Sequence, residues 1–539
     1  MRAQAPAGKR RAPARHRSGK LLGAIDVGSN ASRLYIARTR EDGLIESVDY
    51  IREPLRLGHD VFTSGSLSEQ TIAQAVGVFQ LFRRALDRHR VTRLRACATS
   101  AVRDARNRDL FCARVARQAG ITLDVIAGGE EANLLRQAVT ARMALGARPA
   151  LLVDVGGGST EVSVLHKDEV QLSESFTVGT VRMLEAFGHD GPGKKRAQRL
   201  MTELCDRIAI TVRERFEKSK VDLVVCTGGN IEAVAQLVEP ARARAAAEGH
   251  GVVVIPVERL KVLRKELEAL SLAQRLRKYK LRADRADVVV PALHIYYRVA
   301  RTIGASAVQV PFVGLVNGIV EGMRVATGGR GQSQRARQVR TSALVHGRRF
   351  AFDERHARQV ATLASRIFDA TGDLHRLDDE ARLLLETAAL LHDIGAFVEP
   401  RRHHKHSAYL IANLEIVGLS QREGQLVASI ARYHRKSLPT THHEAFAALS
   451  IPDRDLVSRL SAILRIADAL DREHGALVEA LTIDRKKGEI LLRPYAARDL
   501  LLEAWALEQR ADLFEQLFGL KVRLLPPATR PPRGRTRAA

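Results

Sequence analysis

One layout occurs twice in this chain and limits its fold more than any other feature. A short apolar run ends on an aspartate, a glycine turn follows, and a second apolar run leads away. The first copy is Ile25-Asp26-Val27-Gly28-Ser29-Asn30, and the second runs from Val153 and Asp154 through Gly156, Gly157, Gly158 and Ser159 to Thr160 and Glu161. Apolar runs punctuated by Gly, Ser and Asn predict strands joined by tight turns. Repetition of the whole unit predicts two similar domains with a cleft between them.

The surrounding pattern supports an α/β fold. Strands are expected at Leu21 to Ile25, Leu34 to Ala37, Leu94 to Thr99, Thr122 to Ile126, Leu151 to Val155 and Glu161 to His166, with helical periodicity over Glu69 to His89 and up to Ala119. A polar, Gly- and Arg-rich stretch, Thr327 to Arg340, reads as a linker. Amphipathic runs at His356 to Ala370, Asp378 to Ile394, His404 to Leu414, Gln425 to His434 and Asp453 to Leu470 then predict an all-α third domain. The resulting division is a basic arm over 1–20, α/β domains over 21–145 and 146–326, a linker over 327–342, a helical domain over 343–525 and a tail over 526–539. Three folded units suit 539 residues.

The formal net charge is +25, which favours polyanionic partners: nucleic acid, an anionic membrane surface or polyphosphate. Both termini are basic and lack an apolar period, so disorder is expected there. The four cysteines form no CxxC pair, which fits a reducing cytoplasm and argues against thiolate metal sites. No apolar run approaches the roughly 20 residues needed to span a bilayer, so no membrane association is expected.

Glycines after a strand let successive backbone N–H groups meet an anion, the basis of phosphate cradles. Carboxylates beside bound phosphate repel it unless a divalent cation lies between, and Mg²⁺ is the usual one. Asp26, Asp154 and Glu161 are therefore the candidate metal ligands.

The motifs DVGSN (Asp26 to Asn30), ATSAVRDARN (Ala98 to Asn107), GEEA (Gly129 to Ala132), DVGGGSTE (Asp154 to Glu161), TGG (Thr227 to Gly229) and RAD (Arg285 to Asp287) stand in an order that resembles the exopolyphosphatase and guanosine pentaphosphate phosphohydrolase family. The resemblance covers about Leu21 to Met323. It implies the actin, Hsp70 and sugar-kinase (ribonuclease H-like) fold in both α/β domains, a homodimer, and hydrolysis of a terminal phosphate with Mg²⁺. It also implies that Glu131 is the catalytic base, that Arg103 and Arg285 contact phosphate, and that Ser29, Asn30, Gly157, Gly158 and Ser159 are turn residues touching it. A carboxylate can align water opposite the leaving oxygen and take its proton, and a planar guanidinium meets phosphate oxygens in pairs. The chain departs from the family pattern at Val316-Asn317-Gly318, where many members have Arg-Glu-Gly, and at Asn230 after Gly228-Gly229.

In the helical region His356, His392-Asp393 and Asp468 resemble the ligand series of HD phosphohydrolases. His403, His404, His406 and His434 could complete a dinuclear second metal site, and of these His406 and His434 match the ligand context best; the competing reading is an HD-like domain that guides polyphosphate along basic runs such as Arg401 to Lys405 and Arg432 to Lys436. The expected activity is exopolyphosphatase. Guanosine pentaphosphate (pppGpp) hydrolysis, a kinase-like ATPase, and a silent polyphosphate- or nucleic-acid-binding protein are the alternatives.

Overall fold

The first hairpin forms where the turn residues place it. In the computed structural model, which describes residues 19–40, 42–187, 194–216, 221–325 and 329–528, β1 (Leu21–Val27) and β2 (Ala31–Thr39) pair antiparallel around residues 28–30. β3 (Ile45–Pro54) lies outside β2, and β4 (Arg93–Ala98) and β5 (Asp124–Val125) continue the sheet in parallel beyond β1, in the order β3-β2-β1-β4-β5. The basic arm and the tail lie outside the described residues except at 19–20 and 526–528. Ala528 runs beside Tyr495 rather than away from the fold.

The second unit repeats the first. Its strands are β6 (Ala150–Val155), β7 (Thr160–His166), β8 (Glu169–Phe176), β9 (Leu223–Thr227), β10 (Val253–Pro256) and β11 (Ala307–Val310). The order β8-β7-β6-β9-β11 reproduces the first sheet, and β10 is an added antiparallel edge. Topology thus supports the duplication inferred from two turns.

Two helices tie the halves together. Gly128–Arg142 carries Glu131, and Leu315–Val325 crosses it. Leu315, Ile319, Val320 and Met323 pack with Leu22, Ala24 and Cys97, so the end of the expected second-domain span, 146–326, sits on the first sheet. The crossing is closest at Gly318, where a Cβ would overlap the Leu134 carbonyl. That contact explains why a glycine stands in the departing Val316-Asn317-Gly318 segment.

The expected linker is mostly helical, as Gly329–Arg349. Propensity is overridden by docking on the second sheet, whose edge strand β8 would otherwise expose backbone groups. Buried Gln338 caps that edge: its amide donates to the Val170 carbonyl at 2.9 Å and accepts from the Val170 N–H at 2.8 Å.

Beyond it, Glu354–Ala370, Asp379–Leu391, His403–Asn413, Gln421–Arg432 and Ile451–Ala469 enclose one apolar core. The helical domain is not purely α, however. β12 (Ala480–Lys486), β13 (Glu489–Tyr495) and β14 (Lys521–Leu524) form a three-stranded sheet at its end. Among the described residues no helix is long and apolar enough to cross a membrane.

Candidate active site

Both glycine turns reach the same place. A Cβ on Gly157 would lie 2.9 Å from Ser29 Cβ, so the second turn rests on the first and only glycine permits the approach. Ser29 and Ser100 share a hydrogen bond of 3.0 Å, and Asn30 Nδ2 donates to the Asp284 carbonyl at 2.9 Å, binding the first turn to the segment bearing Arg285. Ser159 is buried, and its hydroxyl bonds to Glu161.

The carboxylates divide by partner. Asp26 stands opposite Arg33 across the β1–β2 hairpin and accepts its guanidinium at 2.5 Å. Burial raises the Asp26 carboxyl and Arg33 opposes that rise. Asp154 stands opposite Glu161 across the β6–β7 hairpin, a like-charge pair that destabilises a sheet unless something intervenes. Thr227, beside Asp154 on β9, donates to it at 2.6 Å, and Ser175 on β8 donates to Glu161 at 3.2 Å.

Glu131 completes the cluster from the first turn of Gly128–Arg142. Its neighbour Glu130 pairs with Arg95, which leaves Glu131 as the acid facing the cleft. Glu131, Asp154 and Glu161 can each supply a carboxylate oxygen within 4.8 Å of the others. Burial, then the charge of Glu161, holds the Glu131 carboxyl well above the usual glutamate range, with Arg103 opposing. Glu131 Oε2 and Glu161 Oε2 are buried without a hydrogen-bond partner. Such atoms are costly, and a divalent cation with oxygen ligands satisfies them. Asp26, expected beside them as a metal ligand, is not in this group and instead pairs with Arg33.

Positive charge gathers beside these acids. Arg103 reaches within 3.8 Å of Glu131 and is steadied by a 2.8 Å bond to the Ile126 carbonyl. Arg285 donates to Asn230 at 3.0 Å, and burial together with the nearby charges of Arg33 and Arg52 lowers its guanidinium to about 10. Mutual repulsion of three guanidiniums in one cleft suits an anion of several charges. Arg33 and Arg52 were not among the sequence candidates. Arg33 was within reach of one, since a hairpin turning at residues 28–30 places positions 26 and 33 opposite each other.

Residues 35–325 match the Ppx/GppA phosphatase family, and residues 337–510 match domain III of the Ppx/GppA phosphatases. This chain belongs to the Ppx/GppA phosphatase family. A protein of Vibrio vulnificus (strain YJ016) named guanosine-5'-triphosphate,3'-diphosphate pyrophosphatase is 26% identical over 500 residues, 90% of this chain and 95% of that protein. A protein of the same name in Vibrio parahaemolyticus (serotype O3:K6, strain RIMD 2210633) is 27% identical over 475 residues, covering 86% and 89%. The crystal structure of an exopolyphosphatase from Cytophaga hutchinsonii is similar at a TM-score of 0.54 and 25% identity, over 57% of this chain and 98% of that one. As a Ppx/GppA member the chain is a phosphoanhydride hydrolase with an actin-like α/β body.

In this Ppx/GppA chain the domain III histidines also converge, with one change from expectation. His356, His392, Asp393, His434 and Asp468 meet in one buried cluster, and His403 occupies the place expected of His406. On His403–Asn413 the buried positions are 403, 404, 407 and 411, so position 406 faces away.

Proposed function

We propose that this phosphatase is an Mg²⁺-dependent exopolyphosphatase, removing terminal phosphate from inorganic polyphosphate and releasing orthophosphate. The observation that carries the reading is the cluster of three buried carboxylates, two with partnerless oxygens, with Arg103 beside Glu131 and the guanidiniums of Arg33, Arg52 and Arg285 near one another. A polyanion bridged by a divalent cation complements both kinds of charge. Mg²⁺ held by Asp154 and Glu161, with Glu131 at its edge, would neutralise the phosphoanhydride oxygens. The turn residues Ser29, Asn30, Gly157, Gly158 and Ser159 orient the terminal phosphoryl group through N–H and O–H donors. Arg103 and Arg285 hold its oxygens, and Asp26 fixes Arg33. Glu131 takes the proton of a water whose oxygen bonds to phosphorus as the anhydride P–O bond breaks; the shortened chain leaves with the bonding electrons. Burial and the charge of Glu161 raise its pKa, which strengthens the carboxylate as a base once it is deprotonated.

Hydrolysis of pppGpp to the tetraphosphate is the second reading. It is favoured by the two Vibrio relatives, which bear that activity in their names and align over nearly the whole chain, domain III included. Comparing kcat/KM on long-chain polyphosphate and on pppGpp, each with and without Mg²⁺, tests both. A higher value on polyphosphate supports the first reading, and a higher value on pppGpp replaces it with the second. Release from neither substrate leaves only a binding role and sinks the proposal. The homodimer belongs to the same proposal and is read by sedimentation.

A further inference from the structure

We propose that domain III binds a nucleoside monophosphate in a groove between the helices Gly329–Arg349, Glu354–Ala370 and Asp379–Leu391, with the phosphate on Arg366 and the base on the apolar floor beside Arg358. The groove has a volume of about 400 Å³, the size of a small-ligand site. This inference stands apart from the α/β cleft and from the histidine cluster, since no residue of either lines the groove.

Helical spacing builds the walls. Arg340 and Leu344 are one turn apart on the first helix, Arg358, Thr362 and Arg366 are successive turns of the second, and Arg382, Glu386 and Leu390 are successive turns of the third. The first helix runs parallel to the third, because Arg335 pairs with Glu380 and Arg340 with Glu386, and Leu344 therefore comes level with Leu390. The second runs the other way: Asp369 meets Arg382, Ser365 meets Glu386, and Ala361 falls beside Leu390. One end of the groove is thus apolar and the other cationic.

At the cationic end most charges are spent on one another. Arg340 donates to Glu386 Oε2 through Nε at 2.9 Å and Nη2 at 2.6 Å, and Arg382 donates to both Asp369 oxygens at 2.7 and 2.8 Å. Arg366 differs. It is half-buried and lines the groove, yet among the described residues no acceptor or carboxylate pairs with it. A half-buried guanidinium with an unused fork asks for an anion, and a phosphate has oxygens enough to take that fork together with the remaining Nη1 of Arg340. Repulsion from Glu386 and Asp369 is offset by the arginines that already hold them.

The apolar end selects the rest of the ligand. Ala361 and Leu390 belong to the domain core, and Leu344 packs on it. Arg358 lines the same end, its plane fixed by donation to Glu354 Oε1 through Nε at 2.9 Å and Nη2 at 2.7 Å. A fixed planar cation beside an apolar floor suits a flat heterocycle, which stacks on guanidinium, whereas an acyl chain gains nothing from it.

The test titrates the full-length protein calorimetrically with AMP, GMP, adenosine, guanosine and inorganic phosphate. At least one nucleotide is expected to bind about tenfold or more tightly than its nucleoside and than phosphate, because only the nucleotide meets both ends. Arg366→Met should weaken that binding about tenfold while the circular dichroism spectrum and phosphate release from polyphosphate stay unchanged, since this side chain pairs with nothing in the fold and lies outside the cleft. Arg358→Met should weaken nucleotide binding and spare inorganic phosphate. Failure of both nucleotides to bind would overturn the proposal, as would nucleotide affinity indifferent to Arg366→Met. Inorganic phosphate binding as tightly as the nucleotides would overturn the assignment of the apolar end to a base.

Discussion

Glu131 and Glu161 bring carboxylate oxygens within 4.8 Å of each other although they are only 7% and 2% exposed. Burial first, and neighbouring carboxylates second, push both above the glutamate reference of 4.5, Glu161 to about 7. A folded-state pKa above the unfolded one means that the folded protein holds the extra proton. The associated stability is complete below the unfolded value and is lost as pH rises through the folded value. In chelator the melting temperature should therefore fall as pH rises from about 5 to about 8, and Mg²⁺ should stabilise the fold more at the alkaline end, by about 2.7 kcal/mol at a hundredfold excess over Kd. Thermal melts across pH with and without Mg²⁺ check this. Equal stabilisation at both ends would contradict it.

Arg33 and Asp26 form the buried pair at the base of the first turn. Arg33→Met strands a buried carboxylate and should cost about 3–5 kcal/mol. Asp26→Asn with Arg33→Met should recover much of that stability in urea titrations while phosphate release stays low, because the clamp on the substrate is still missing. Full recovery of turnover by the double variant would remove Arg33 from the site.

Gly157 meets Ser29 too closely for a side chain. Gly157→Ala should push the turns apart and lower kcat at least tenfold, with a smaller change in KM, since misplacement of a reacting group by an ångström costs on the order of a hundredfold. Steady-state kinetics on polyphosphate measure it. An unaltered kcat would mean that the turns need not touch during turnover.

Gln338 supplies both hydrogen bonds to Val170 on the β8 edge. Gln338→Ala leaves a buried N–H and a buried carbonyl unpaired, at about 1–3 kcal/mol each. Hydrogen exchange at Val170 should accelerate while exchange in β1 and β2 stays unchanged. Uniform acceleration would indicate global destabilisation instead.

Much of this architecture was legible because local chemistry and tertiary demand agree. The hairpins around residues 28–30 and 156–159 need glycine and serine for their turns, and their flanking strands are apolar throughout. Where the two disagree, sequence reading failed. The stretch beginning at Gly329 looks like a breaker, yet Gln338 bonds to Val170 on β8, Ser342 accepts from the Val417 N–H, and Val339 and Ala343 enter the core of the helical domain, so packing on both sides holds it as a helix. The β12–β13 hairpin was hidden because β12 ends in a polar, exposed run, Asp484 to Lys486, although Gly488 at positive φ marks its turn. Among the candidate residues, Glu131, Arg103 and Arg285 were named through motifs and Asp154 and Glu161 from acids beside a glycine turn, whereas the choice of His403 over His406 depends on which face of one helix turns inward.

The account stands most directly on Glu131, whose side chain faces the buried acids while Glu130 pairs with Arg95. Mg²⁺-dependent phosphate release from long-chain polyphosphate should be measured for Glu131→Gln beside the wild type, together with polyphosphate binding. The account predicts a loss of kcat of about a hundredfold or more with binding retained. Turnover at the wild-type rate would contradict it.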